Sequence, residues 1–342
     1  MKAYVLHGIG DLRYEDRPKP ELQPGWALVK VLAAGICSSD IPRIFTKGTY
    51  HFPTIPGHEF CGRVEAVHDE ADSGWVGQRV GVFPLIPCKK CPSCQRGEYE
   101  TCEHYDYLGS RRDGGFAEYV AVPVWNLLEL PDEVSDVQGA LLEPAAVALH
   151  GVKRAEIQPG DSVCVVGTGA IGLLAGQWAR LQGAGRVVVK GRNKAKRELA
   201  ENCGLEYRTD TGSEPFDRVI EAVGSENALT ESIQLTAPGG RLVLMGNPDG
   251  PRALSQDTYW RILRKQLTLT GTWNSSFGSK DSDWLETVEA IGSRKLRVEE
   301  IVSHELKSQE LAKGLDIMRK KCKAYSRIVT GWPENEVKKR DL

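Results

Sequence analysis

The stretch Ser162–Gly172 reads SVCVVGTGAIG. Its first half is a short apolar run rich in valine, the composition of a strand buried on both faces. Its second half sets Gly167, Gly169 and Gly172 in the spacing G-x-G-x-x-G, and the apolar-periodic segment up to Ala184 continues from it as a helix. In that strand–turn–helix context the first glycine permits the tight turn. The second lets the backbone approach a pyrophosphate, and the third lets the helix pack on the strand. Ala170 and Ile171 open the helix, whose N-terminus would face the phosphates. Working outward, RVVVK at 186–190 is a second strand, and Asn193–Cys203 is a helix rich in Lys, Arg and Glu. Further strands are expected at 217–224, 240–246 and 266–273. Strands alternating with helices predict a parallel, doubly wound sheet.

Upstream of Asp161 the rhythm changes. Short strand-like runs, YVLHG, WALVKVLAAG, GRVEAV, RVGVFPL and AEYVAV, are separated by Pro and Gly, the pattern of an irregular antiparallel β domain. Beyond about Lys280 a helix, an extended piece (301–306), a second helix (308–321) and a last strand (325–331) are expected. The chain has 342 residues, and at roughly 150 per domain that length holds about two domains. Apolar residues at 41% and charged residues at 26% exclude wholesale disorder. Forty-four Lys plus Arg against 46 Asp plus Glu leave no basic surplus for a nucleic-acid partner. The longest nearly apolar stretch, 163–176, is broken by glycines and is shorter than the about 18–20 residues a membrane span needs. With no secretory h-region at the N-terminus, the expectation is a cytoplasmic protein whose nine cysteines serve metal or remain free thiols.

Cys88, Cys91, Cys94 and Cys102 stand in the spacing C-x2-C-x2-C-x7-C. Four thiolates this near one another can enclose one tetrahedral Zn²⁺ with no open position, which would make the site structural. Free or oxidised thiols and an iron–sulfur cluster are the competing uses of the same residues. A second set is scattered: Cys37 in GICSSD, His58 and Glu59 in GHEF, and Glu143 before Pro144. One thiolate, one imidazole and one or two carboxylates make a plausible catalytic zinc set with a position left for water or substrate. Taken alone, a cysteine such as Cys37 is more often a small buried hydrophobe, and His58 beside a glycine reads also as a core or turn histidine.

In their order along the chain, GHEFCGRV (57–64), the four-cysteine lobe, DGGFAEY (113–119), LLEPAAVALHG (141–151) and GTGAIG resemble the zinc-dependent medium-chain alcohol and polyol dehydrogenases. The resemblance spans essentially the whole chain. It implies a GroES-like catalytic domain built from residues 1–150 and 280–342, and a six-stranded Rossmann domain at 151–279. It also implies that Cys37, His58 and Glu143 ligate a catalytic zinc, with Glu59 a ligand or exchangeable neighbour. Ser39 takes the place of the family hydroxyl that begins the proton relay. Glu143 before Pro144 is similar to the sorbitol and threonine dehydrogenase branch. IPRIF (41–45), GSRRDGGFAEY (109–119) and ILRKQLTLTGTW (262–273) are similar to segments of galactitol-phosphate dehydrogenases. The substrate so implied is a sugar alcohol or its phosphate, in a cleft between the domains lined by Tyr50, Arg111, Arg112, Trp273 and Asn274. Arg43 and Lys47 add cations for a phosphate, although charges such as these and Arg111 and Arg112 are more often ordinary surface. The edge strand at 266–273 would pair with its symmetry mate in a homodimer or homotetramer.

The cofactor reading departs from the commoner pattern. NAD enzymes place an acid about 20 residues beyond the glycines, on the ribose hydroxyls. Counting on from Gly172, that place falls at Gly191, flanked by Lys190, Arg192, Asn193 and Lys194, and Lys190, Gly191, Arg192 and Lys194 are expected to contact the cofactor together with the turn Gly167–Gly172. Without the acid a 2′-phosphate is no longer repelled, and Arg192 can grip it with two prongs. The expectation is NADP(H), against a merely solvated basic turn. Competing functions are an NAD-dependent polyol, 2,3-butanediol or threonine-type dehydrogenase, and a zinc-stabilised dinucleotide-binding protein without turnover.

Overall fold

The computed structural model describes residues 1–248, 250–278, 282–321 and 325–332, so Cys322 lies outside the described residues. The chain divides into two compact units: Met1–Glu143 with Ser276–Gly292 and Val302–Leu342, and Pro144–Ser275 with Ser293–Ile301.

In the second unit Ser162–Val166 lies at the centre of a six-stranded sheet. Strand order is Glu206–Arg208, Arg186–Lys190, Ser162–Val166, Phe216–Glu221, Thr236–Leu244, Thr268–Gly271, and every pairing is parallel. Val163, Cys164, Val165 and Val166 point to alternate faces and are all buried, so this strand is sealed on both faces. The helix Ala170–Leu181 buries Leu173, Leu174 and Trp178, and the Trp178 indole N–H donates to the Ala145 carbonyl at 2.9 Å. The order reverses on either side of Ser162–Val166, and such a switch point opens a crevice at the carboxyl ends of the strands. Glu206–Arg208 is absent from the strands expected above. It has three residues, two of them charged, and only Tyr207 is buried.

The first unit holds a seven-stranded sheet. Its spine is Trp26–Ile36, antiparallel to Glu59–Val67 from Ala27 opposite Val67 to Gly35 opposite Glu59. On the other edge Arg327–Gly331 runs antiparallel to the same strand, with Ile328 opposite Ile36. Two chain segments some 270 residues apart therefore meet at one strand end, beside Cys37. Gly35 matters there, because a Cβ on it would lie 2.6 Å from the Glu59 carboxylate. The helix Leu311–Lys320 buries Leu311, Leu315 and Met318 on one face, the i, i+4, i+7 stripe of a core helix. Among the described residues no helix is long and apolar enough to cross a membrane.

Candidate active site

The four-cysteine lobe is assembled locally. The Sγ atoms of Cys88, Cys91, Cys94 and Cys102 all lie within 4.8 Å of one another, and two of the pairs are 3.9 Å apart. A tetrahedron with Zn–S bonds of about 2.3 Å has edges of about 3.8 Å. The spacing is far longer than the about 2.05 Å of a disulfide. It is too tight to surround a cluster of several irons. Backbone N–H groups of Cys88 and Cys91 donate to the sulfurs of Cys102 and Cys88, at 3.3 and 3.4 Å. Such N–H donors favour thiolate, the form that binds metal.

The second cluster follows from strand register. Gly35 opposite Glu59 brings Cys37, at the end of one strand, against His58 and Glu59, at the start of the next. The Cys37 sulfur, a His58 ring nitrogen and a Glu59 oxygen lie within 4.8 Å of one another. Around them stands a buried polar shell. Asp40 is fully buried; it accepts the Cys37 N–H at 3.0 Å and an Arg43 N–H at 2.8 Å. Its carboxylate lies 3.4 Å from His58 Nδ1, which leaves Nε2 available to a metal. The Arg327 guanidinium, also buried, donates to both Glu59 oxygens at 2.8 and 2.7 Å and to the Ile36 carbonyl at 3.0 Å. Glu143, in the first turn of Leu142–Lys153, does not join the trio; its Oε1 accepts the Tyr107 hydroxyl at 3.3 Å. Ser39 Oγ donates to Cys37 Sγ at 3.3 Å.

Electrostatics show what this shell is built to hold. Burial pushes the Glu59 carboxyl up to about 8 in spite of Arg327, and burial with the Glu59 charge pushes Glu143 up to about 7. Burial also works against the Cys37 thiolate, but His58 and then Arg327 outweigh it and bring the thiol down to about 6. With all its acids ionised, the half-buried Cys37 thiolate and the buried Asp40, Glu59 and Glu143 carboxylates would outnumber the cations His58, Arg43 and Arg327 around them. A divalent cation resolves that excess, and a Cys–His–carboxylate donor set suits zinc.

The glycine turn has the shape a dinucleotide needs. Gly167 adopts φ +126°, which other residues rarely take. A Cβ on Gly172 would lie 2.1 Å from the Gly167 carbonyl, so the helix packs directly on the turn. Gly169 has open space where its side chain would stand, and it begins the helix Ala170–Leu181 with no side-chain cap. The helix N–H groups stay free for an anion.

Two family models match the chain: the alcohol dehydrogenase GroES-like domain over residues 23–132 and the zinc-binding dehydrogenase over residues 170–293. Galactitol 1-phosphate 5-dehydrogenase of Escherichia coli (strain K12) is 34% identical over 335 residues, 93% of this chain and 97% of that enzyme. The chain belongs to the zinc-dependent medium-chain alcohol and polyol dehydrogenases. The crystal structure of galactitol-1-phosphate dehydrogenase from Escherichia coli superposes with a TM-score of 0.88 at 31% identity, covering 97% of this chain and 100% of that one. A zinc-binding dehydrogenase of Sinorhizobium meliloti 1021, bound to NADP, gives a TM-score of 0.87 at 31% identity, covering 97% and 99%.

In this dehydrogenase the remaining residues singled out from the sequence fall into different settings. Lys190, counted there among cofactor contacts, is ion-paired with Glu231 of the helix Glu226–Leu235. Arg192 and Lys194 are exposed, with no ion-pair partner among the described residues. The Tyr207 hydroxyl pins their turn from beneath, within hydrogen-bond distance of the Gly191 and Asn193 carbonyls at 2.9 and 2.8 Å. Arg111 is sandwiched between the rings of Tyr50 and Tyr105, at 4.3 and 4.4 Å. Arg112 is paired with Asp106, and Lys47 is exposed. Trp273 lines a crevice of about 270 Å³ with Glu221, Gly224, Leu244, Met245 and Arg252, at the carboxyl ends of three strands. Asn274 follows it at φ +52°. The sequence reading gave no role to Asp40, Tyr107 or Arg327. Arg327 had a signal, a lone charge in the apolar strand SRIVTG.

Proposed function

We propose that this dehydrogenase transfers hydride between a secondary alcohol of a sugar alcohol, or of its phosphate, and NADP(H). Zinc held by Cys37, His58 and Glu59, with Glu143 beside them, would supply a Lewis acid for the substrate oxygen. NADP(H) seated at Gly167–Gly172 supplies the hydride acceptor or donor. The chain's own groups do the rest. Asp40 holds the His58 ring in one orientation, and Arg327 fixes the Glu59 carboxylate. Ser39 carries the alcohol proton towards solvent. Cys88, Cys91, Cys94 and Cys102 hold a second, structural zinc. The protein works in the cytoplasm as a homodimer or homotetramer paired through Thr268–Gly271, the edge strand of the parallel sheet.

The observation that carries the cofactor reading is Gly191 in the acid's place, with Arg192 and Lys194 unpaired beside it. The NADP-bound relative is consistent with it. The test is kcat/KM for a panel of sugar alcohols and their phosphates with both cofactors. NADP should be favoured, and Arg192→Ala should penalise NADP more than NAD by about 1–3 kcal/mol, the worth of a charge-assisted pair. A clear preference for NAD would defeat the reading. On the substrate side, the galactitol 1-phosphate relative and the cations Lys47 and Arg111 favour a phosphorylated polyol. An unphosphorylated polyol is the second reading, because Arg43 and Arg112 already have carboxylate partners.

A further inference from the structure

Gly191 has an ordinary backbone conformation, so its being glycine is not a matter of φ. The demand is spatial. A Cβ at 191 would lie 2.3 Å from Thr168 Cγ2, 2.5 Å from Thr168 Oγ1 and 3.0 Å from Thr168 Cβ. Nor can the backbone slide apart. The Gly167 N–H donates to the Lys190 carbonyl at 2.8 Å, and the Gly191 N–H to the Arg208 carbonyl at 3.0 Å. Rotation of Thr168 does not help either. A threonine places two heavy atoms on three staggered positions, and both positions facing residue 191 are filled. Any rotamer therefore leaves one heavy atom in the way. Thr168 is itself buried.

We infer that Thr168, the residue between the first two glycines of the turn, is a specificity-determining partner of Gly191. Its side chain occupies the room that a side chain at 191 needs. A carboxylate reading the ribose hydroxyls cannot be installed while Thr168 remains, and the pair together keeps the site open to a 2′-phosphate. The inference rests on the NADP reading for its meaning, but the steric coupling stands apart from it.

The experiment is a double-mutant cycle on the full-length, metal-loaded protein. NADP and NAD dissociation constants would be measured by calorimetry without substrate, and Tm by thermal unfolding. Gly191→Asp alone should lower Tm and weaken NADP about tenfold or more without tightening NAD, as overpacking of a closed site does. Adding Thr168→Gly should restore Tm and tighten NAD about tenfold relative to Gly191→Asp. Gly191→Ala, which adds bulk without charge, should weaken both cofactors, and Thr168→Gly should restore both; this pair keeps the test open if Gly191→Asp does not fold. The coupling is overturned if Gly191→Asp alone binds NAD as tightly as the double variant, or if Gly191→Ala leaves Tm and both constants unchanged. A wild type that prefers NAD defeats the NADP reading instead, while the Gly191→Ala pair still decides the coupling.

Discussion

The two metal-competent clusters of the first unit are built in opposite ways. In the lobe, four like ligands lie within residues 88–102, and the backbone of the same segment supplies N–H donors to their sulfurs. In the centre, three unlike ligands come from two strands, and their supports, Asp40, Arg43, Tyr107, Glu143 and Arg327, come from across the unit. The lobe offers four thiolates and closes on itself. The centre offers a mixed set with buried acids to spare, the arrangement that leaves a coordination position for chemistry. A local cluster depends on its ligands alone, whereas a cluster made by register depends on every group that holds the register.

That contrast is broken or sharpened by four substitutions. The largest effect is expected from Cys91→Ser. Losing one of four thiolates should remove about one zinc per chain, and structural zinc is worth about 10–16 kcal/mol of apparent binding in small domains. Metal analysis that found zinc fully retained would show that the lobe does not depend on its ligand count. Next comes Arg327→Ala, which leaves Glu59 buried without its partner. Removing one side of a buried pair costs about 3–5 kcal/mol. Denaturant unfolding should show that loss, with the lobe zinc still bound; an unchanged midpoint would mean that the centre is as self-contained as the lobe.

The same contrast explains what could be read from the chain. The lobe and the turn Ser162–Gly172 are written in consecutive residues, where spacing is geometry. Cys37, His58 and Glu59 were recognised by motif, yet their meeting depends on Gly35 pairing with Glu59, which spacing does not encode. Arg327 arrives because Ile328 pairs with Ile36 across most of the chain length. Lys190 shows the converse dependence. Its place beside Gly191 suggests a cofactor contact, and its charge is met by a carboxylate on a later helix, Glu231, which spacing does not announce. Glu206–Arg208 escaped because two of its three residues are charged and only Tyr207 faces inward.

A smaller effect should follow from Asp40→Asn, which keeps the shape beside His58 and removes the charge. Supports of this kind are worth about 10–100-fold in metal affinity. Chelator competition should show the loss at the centre alone; equal loss from both clusters would erase the distinction between them.

The smallest effect separates the acid that joins the trio from the acid that stands beside it. Glu59 is held by Arg327 through two short contacts, whereas Glu143 is held by one hydroxyl at 3.3 Å. Tyr107→Phe removes only that hydroxyl and should cost about 0.5–1.5 kcal/mol of stability. Glu143 would then be free to turn. If its role is to stand near the cation without binding it, metal affinity in Tyr107→Phe should be unchanged and only Tm should fall. If affinity rises, the tyrosine has been holding a potential ligand away from the metal, and the centre is a set of four donors restrained to three.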